Sequence, residues 1–115
     1  MAIWAQSNPP ILVSEGEQTN PADAALMADT AALRVGIWEF RISVGSSAIA
    51  NFMVQRRNAA NDANVGVTPI IKTAANQTGQ YVFRFRLEQG ERVRVVMDGA
   101  LTGEAAAFIN GEMLG

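Results

Sequence analysis

The sequence contains no cysteine and no histidine. Their absence removes zinc sites of the Cys-His type, cysteine nucleophiles and serine-histidine pairs, and leaves no imidazole to titrate near neutrality. Disulfides are excluded too, so a chain of 115 residues must hold its core by packing or by association. Lysine is almost missing: Lys72 stands alone against eight arginines. Charged residues are only 17% of the chain while 49% are hydrophobic. Arginine is common at protein interfaces and lysine is depleted there, so both scarcities point to an assembled protein. No stretch approaches the roughly 18 apolar residues of a membrane span, and no basic start leads into an apolar run of secretory length. The expectation is a protein with no membrane partner.

Charge is unevenly distributed. Residues 1–33 carry Glu15, Glu17, Asp23 and Asp29 with no base, a charge of −4, and the remainder carries nine bases against seven acids. Up to Asn20 neither a helical nor a long alternating period is visible, Pro9 and Pro10 impose extended backbone, and Ile11 to Val13 suit one short strand. Trp4 either folds back on its own domain or anchors this segment in a neighbour, where tryptophan is over-represented among energetic centres. Asn20-Pro21-Ala22-Asp23 has a cap, a first-turn proline and an early acid, so a short helix is expected over 21–27. Residues 1–30 are therefore expected to form an N-terminal arm and 31–115 the folded domain.

From Val35 the period becomes two. Trp38, Phe40, Ile42 and Val44 share one face against Glu39, Arg41 and Ser43, and Ala50, Phe52 and Val54 alternate with Asn51, Gln55 and Arg57. Val67 to Lys72 is an apolar run broken by Pro69, the mark of a sheet edge. Tyr81, Phe83, Phe85 and Leu87 alternate with arginines, and after Gln89-Gly90 the alternation resumes at Val93, Val95 and Met97, which reads as a β-hairpin. Glu104 to Leu114 is bracketed by glycines and is expected to be a final strand. Six or seven short strands predict an all-β chain, a compact jelly roll or β-sandwich with an extended N-terminal arm.

Chemistry is scarce. Glu39 among arginines is a cross-strand partner rather than a general acid, and Lys72 ends an exposed run with no sign of the burial a catalytic amine needs. Asn58, Asn61, Asp62 and Asn64 offer oxygens at irregular spacing, without the bidentate Glu and the Gly of a helical calcium loop, and suit a long turn. Arg56, Arg57, Arg84, Arg86, Arg92 and Arg94 could face nucleic acid, but acids are available to neutralise them and the chain is acidic overall. The expectations are no catalytic residues, no metal, no cofactor and no nucleic-acid partner.

Gly36-Ile-Trp-Glu-Phe-Arg-Ile-Ser-Val44, Phe52-Met-Val-Gln-Arg-Arg-Asn58, Gly79-Gln-Tyr-Val-Phe-Arg-Phe-Arg-Leu87, Gly90-Glu-Arg-Val-Arg-Val95 and Leu101 to Ile109 are strand phrases in a familiar order. Together, over residues 31–114, they resemble the jelly-roll heads of the tumour necrosis factor and complement-head type, above all the small versions that decorate or cement tailed-phage capsids. That resemblance implies a homotrimer on the outer surface of a virion, tying major capsid proteins together and stabilising the shell. In this light Trp4, Ile11, Leu12 and Val13 become candidate capsid anchors on the arm. Ile37, Met53, Val82 and Phe108 become candidate subunit contacts, unless they line a second covered face of the same sandwich. The other reading is a receptor- or carbohydrate-binding module of a phage fibre or tail.

Overall fold

A computed structural model describes residues 11–115. Alternation of apolar and polar side chains produces eight strands: β1 (Ile11–Thr19), β2 (Leu26–Asp29), β3 (Gly36–Ser46), β4 (Ala50–Arg57), β5 (Ile70–Thr73), β6 (Gln77–Leu87), β7 (Arg92–Met97) and β8 (Glu104–Met113). They form two four-stranded antiparallel sheets, ordered β1-β8-β3-β6 and β2-β7-β4-β5. We call them sheet A and sheet B. The chain crosses between sheets at almost every connection, and only β4 and β5 are both consecutive and paired. This is an all-β jelly roll.

The inward faces meet in one core. Phe40, Ile42 and Leu87 from sheet A and Phe52, Val93, Val95 and Met97 from sheet B are fully buried, with Ile109 of β8 beside them. Each such side chain contributes about 1.5–3 kcal/mol by leaving water, which is why the pattern of period two dictates the register. Trp38 stacks on Phe40 with ring centroids 5.7 Å apart, and its indole Nε1 donates to the carbonyl of Arg34 at 3.0 Å. Strand β3 is central: it pairs with β6 along its full length and with β8 along most of it.

Three expectations are corrected. Residues 11–30 are not an arm, because β1 pairs with β8 from Ile11↔Glu112 to Thr19↔Glu104 and β2 pairs with β7. The sandwich thus begins some twenty residues earlier than the expected boundary, and Trp4 lies outside the described residues. Nor is there a helix over 21–27. The side chains that look like helix caps are used at long range instead: Asn20 Oδ1 accepts from the amide of Gly103 and Asp23 Oδ1 from that of Gly99, both at 2.8 Å. Asn20 and Ala24 adopt left-handed backbone, and the chain enters β2. Finally, β6 and β7 are not a hairpin. The turn at Glu88–Glu91 carries the chain from sheet A to sheet B, fixed by the Glu91 carboxylate accepting from the Glu88 amide at 2.7 Å and by the Gly90 amide donating to Leu33 O at 2.9 Å.

Candidate functional site

The two long edges of the sandwich end differently. At one edge β1 meets β2, and at the other β5 meets β6. Strand β5 has four residues and β6 has eleven, so much of the inward side of β6 lies beyond β5 and faces β4 and the connection over residues 58–69. The result is a cleft of about 310 Å³ lined by Tyr81, Phe83 and Phe85 on one side and by Val54, Val65 and Pro69 on the other. The aromatic side chains of this edge strand are half-buried, whereas Trp38 and Phe40 on neighbouring β3 are sealed in.

The rings form a ladder. Tyr81 and Phe83 centroids are 5.1 Å apart, Phe83 and Phe85 are 5.0 Å apart and nearly parallel, and Phe83 leans on Phe40 at 5.4 Å. Arg56 closes one end, with its guanidinium 4.8 Å from the Phe85 ring centre, a cation–π contact. The same guanidinium donates to Glu91 Oε1 from Nη2 at 2.6 Å and from Nε at 3.2 Å. Glu91 is 7% exposed, and its carboxylate is held by this guanidinium and by the Glu88 amide. An apolar ledge with a neutralised, rigid charge at its end is suited to contact rather than to proton transfer.

The outer face of sheet A adjoins this edge. Of the predicted contact residues, Ile37 (43% exposed) and Val82 (55% exposed) lie on it, and half-buried Phe108 joins them through Ser43. Neither Ile37 nor Val82 is covered within the sandwich. Met53 does not belong with them, because β4 places it on the outer face of sheet B. Residues 11–13 lie in β1, so they are part of the sheet rather than of a free segment. The face is also polarised. Arg84 and Arg86 line its β6 side, while Glu15, Glu17 and Glu104 line its β1 and β8 side. Glu39 sits between, accepting from Arg84 Nη2 at 3.0 Å with Arg41 at 3.7 Å, the cross-strand role read from the sequence.

The polar turn over 58–64 serves the fold. Arg57 donates to Asn61 Oδ1, Asn61 O and Asn64 Oδ1 at 2.8–3.0 Å, and Asn58 and Asp62 bond to each other. Among the described residues no three metal-ligating side chains converge. The functional feature that sequence reasoning missed is the open aromatic edge. Its signal was present: a long alternating aromatic strand beside a short run broken by Pro69 cannot be fully covered.

No family model matches the chain, and no curated protein matches it. Solved structures do. The globular domain of zebrafish complement 1qA protein superposes with a TM-score of 0.69 at 11% identity, covering 92% of this chain and 98% of that one. The Eiger TNF of S. frugiperda gives 0.60 at 10% identity, with 94% of each chain covered. The enzymatically active domain of bacteriophage CBA120 tailspike protein 4 gives 0.53 at 9% identity, over 94% of this chain and 20% of that one. At such identities the likeness is one of fold: a jelly roll of the complement-head and TNF kind.

Proposed function

We propose that the chain is a structural capsid decoration protein: a homotrimer on the outer surface of a phage capsid, bound to the major capsid protein and stabilising the shell without chemistry of its own. The observation that carries self-association is the open β5/β6 edge, where an aromatic ladder stands half in water beside exposed Val82 and Ile37. A second copy is the occupant that fits. The arginines along β6 of one subunit would face the glutamates along β1 and β8 of the next, a head-to-tail contact that forms a ring where its rotation closes. The resemblance of the strand phrases to the decoration-type heads supports the number three and the capsid as partner. Residues 1–10, with Trp4, are the remaining candidate for the capsid anchor, and three copies in a trimer would supply avidity.

Light scattering on the purified chain tests the first half, with three times the 12.3 kDa chain mass expected and a monomer overturning it. Co-sedimentation with undecorated phage capsids tests the second, and a chain that stays in the supernatant would overturn it. Deletion of residues 2–10 should leave the trimer intact and abolish capsid binding. Trp4→Ala alone should weaken that binding by more than about 1 kcal/mol, the usual loss on truncating an interfacial anchor.

A second reading, a receptor- or carbohydrate-binding module of a fibre or tail, is favoured by the same cleft, since tilted aromatic rings beside Arg84 offer a face for a sugar. A monomer that binds glycans and ignores capsids would establish it in place of the first.

A further inference from the structure

On the outer face of sheet B, Arg57 and Arg92 stand directly opposite each other on β4 and β7. Arg94 is two residues further along β7 on the same face, opposite Gln55. Like charges placed directly across a pair of strands destabilise a sheet, so three arginines in one small grid need compensation. The other strand arginines have it: Arg56 is paired with Glu91, Arg84 and Arg41 with Glu39, and Arg86 with Glu88. Here Asp29 is the one acid, bound to Arg92 Nη1 at 3.1 Å. Among the described residues no carboxylate lies within ion-pair distance of Arg57 or Arg94.

The three guanidiniums are nevertheless held in place. Arg57 is fixed by the neutral oxygens of Asn61 and Asn64, and Arg94 by Gln55 Oε1 at 2.6 Å. Orientation is thus provided by groups that leave the charge unneutralised. Arg92 Nε is buried and has no hydrogen-bond partner among the described residues. Burial first, and then the nearby Arg57 and Arg92 charges, press the Arg94 guanidinium below its ordinary pKa, with Asp29 opposing.

We propose that Arg57, Arg92 and Arg94 form an oxyanion site that takes a phosphate or a carboxylate group on the outer face of sheet B. The planar forks of arginine suit both ions, and the cluster carries a local charge of about +2 after Asp29 is counted. The site lies on the outer face of sheet B, whereas Ile37 and Val82 face outward from sheet A, so failure of the anion titration would leave the light-scattering test of the trimer reading untouched.

The test is an NMR titration of the full chain with sodium phosphate and, separately, sodium glutarate, each against sodium chloride at equal ionic strength. Saturable shifts at the amides and side chains of Arg57, Arg92 and Arg94 are expected, and the anion that produces them identifies the group. Arg94→Gln should weaken the binding about tenfold, the effect of one charge-assisted hydrogen bond. Arg41→Gln, on the outer face of sheet A, should leave it unchanged. The thermal midpoint of the unmodified chain should also rise in the binding anion and not in chloride, a readout that holds even if Arg94→Gln fails to fold. Neither anion giving saturable shifts, no such rise in midpoint, or Arg94→Gln folding and binding as before would overturn the proposal.

Discussion

The two edges of this sandwich contrast in how the chain finishes them. At the β1/β2 edge the backbones come together. Ser14 Oγ donates to Asp29 O at 2.9 Å and accepts from Asp29 N at 3.1 Å, and Gln18 Nε2 donates to Leu26 O at 2.7 Å. Gly16 permits the approach, since a Cβ there would run into the carbonyl of Met27. At the β5/β6 edge the chain places rings instead of backbone bonds and leaves them half-exposed. Polar closure satisfies an edge within one molecule, whereas an apolar ledge leaves surface that association can bury. One edge is complete in the monomer, and the other is completed by a neighbour in the function proposed above.

Substitutions can break this contrast, and their effect on folding is read by urea denaturation at one protein concentration. The largest effect is expected at the open edge. Arg56→Met removes the partner of Glu91 and strands a buried carboxylate, at a cost of about 3–5 kcal/mol. Glu91→Gln added to it should restore part of that loss, because the charge itself is the problem. A loss equal in the single and double variants would instead assign the effect to the stacking of Arg56 on Phe85.

At the closed edge, Gly16→Ala forces β1 away from β2 and should cost about 2 kcal/mol, in the range of overpacked sites. Ser14→Ala removes both bonds to Asp29 and leaves its amide without that acceptor, for about 1 kcal/mol. If Ser14→Ala proved neutral, the hydrogen bonds across this edge would not be what holds it shut.

How much of this was legible in the sequence follows from what each signal depends on. Alternation such as Trp38, Phe40, Ile42 and Val44 reports local burial, and it located β3, β4, β6 and β7, while the bracketing glycines marked β8. Strand β2 escaped because Ala, Leu and Met favour helix in isolation, and because the Asn20 and Asp23 side chains are engaged by Gly103 and Gly99, some eighty residues away. No local pattern reveals a cap used at that distance. The supposed hairpin at Gln89-Gly90 failed for a similar reason: a short turn fixes proximity, but not whether the next strand continues the sheet or crosses to the other. For the candidate site, phase correctly set Ile37 and Val82 outward, yet phase alone assigned Met53 to the same group although it lies on the opposite sheet. Periodicity does not separate the exposed aromatic ladder from core rings, because both alternate in the same way; the short run broken by Pro69 is the signal that does.

The smallest expected change in folding gives the sharpest test of the contrast. Val82 is 55% exposed on the outer face of β6, opposite Arg41. Val82→Glu removes no core contact and places a carboxylate near an arginine, so the subunit's own folding should shift by no more than about 0.5 kcal/mol. In a trimer the same carboxylate would be buried against the glutamate-lined side of the next subunit, an unpaired charge facing like charges. Light scattering should therefore report the single-chain mass for Val82→Glu, with far-UV circular dichroism unchanged. A variant that keeps the parent mass would show that this strand is not the shared surface, and would move the search for the neighbour to the outer face of sheet B, where Ile70 is also exposed.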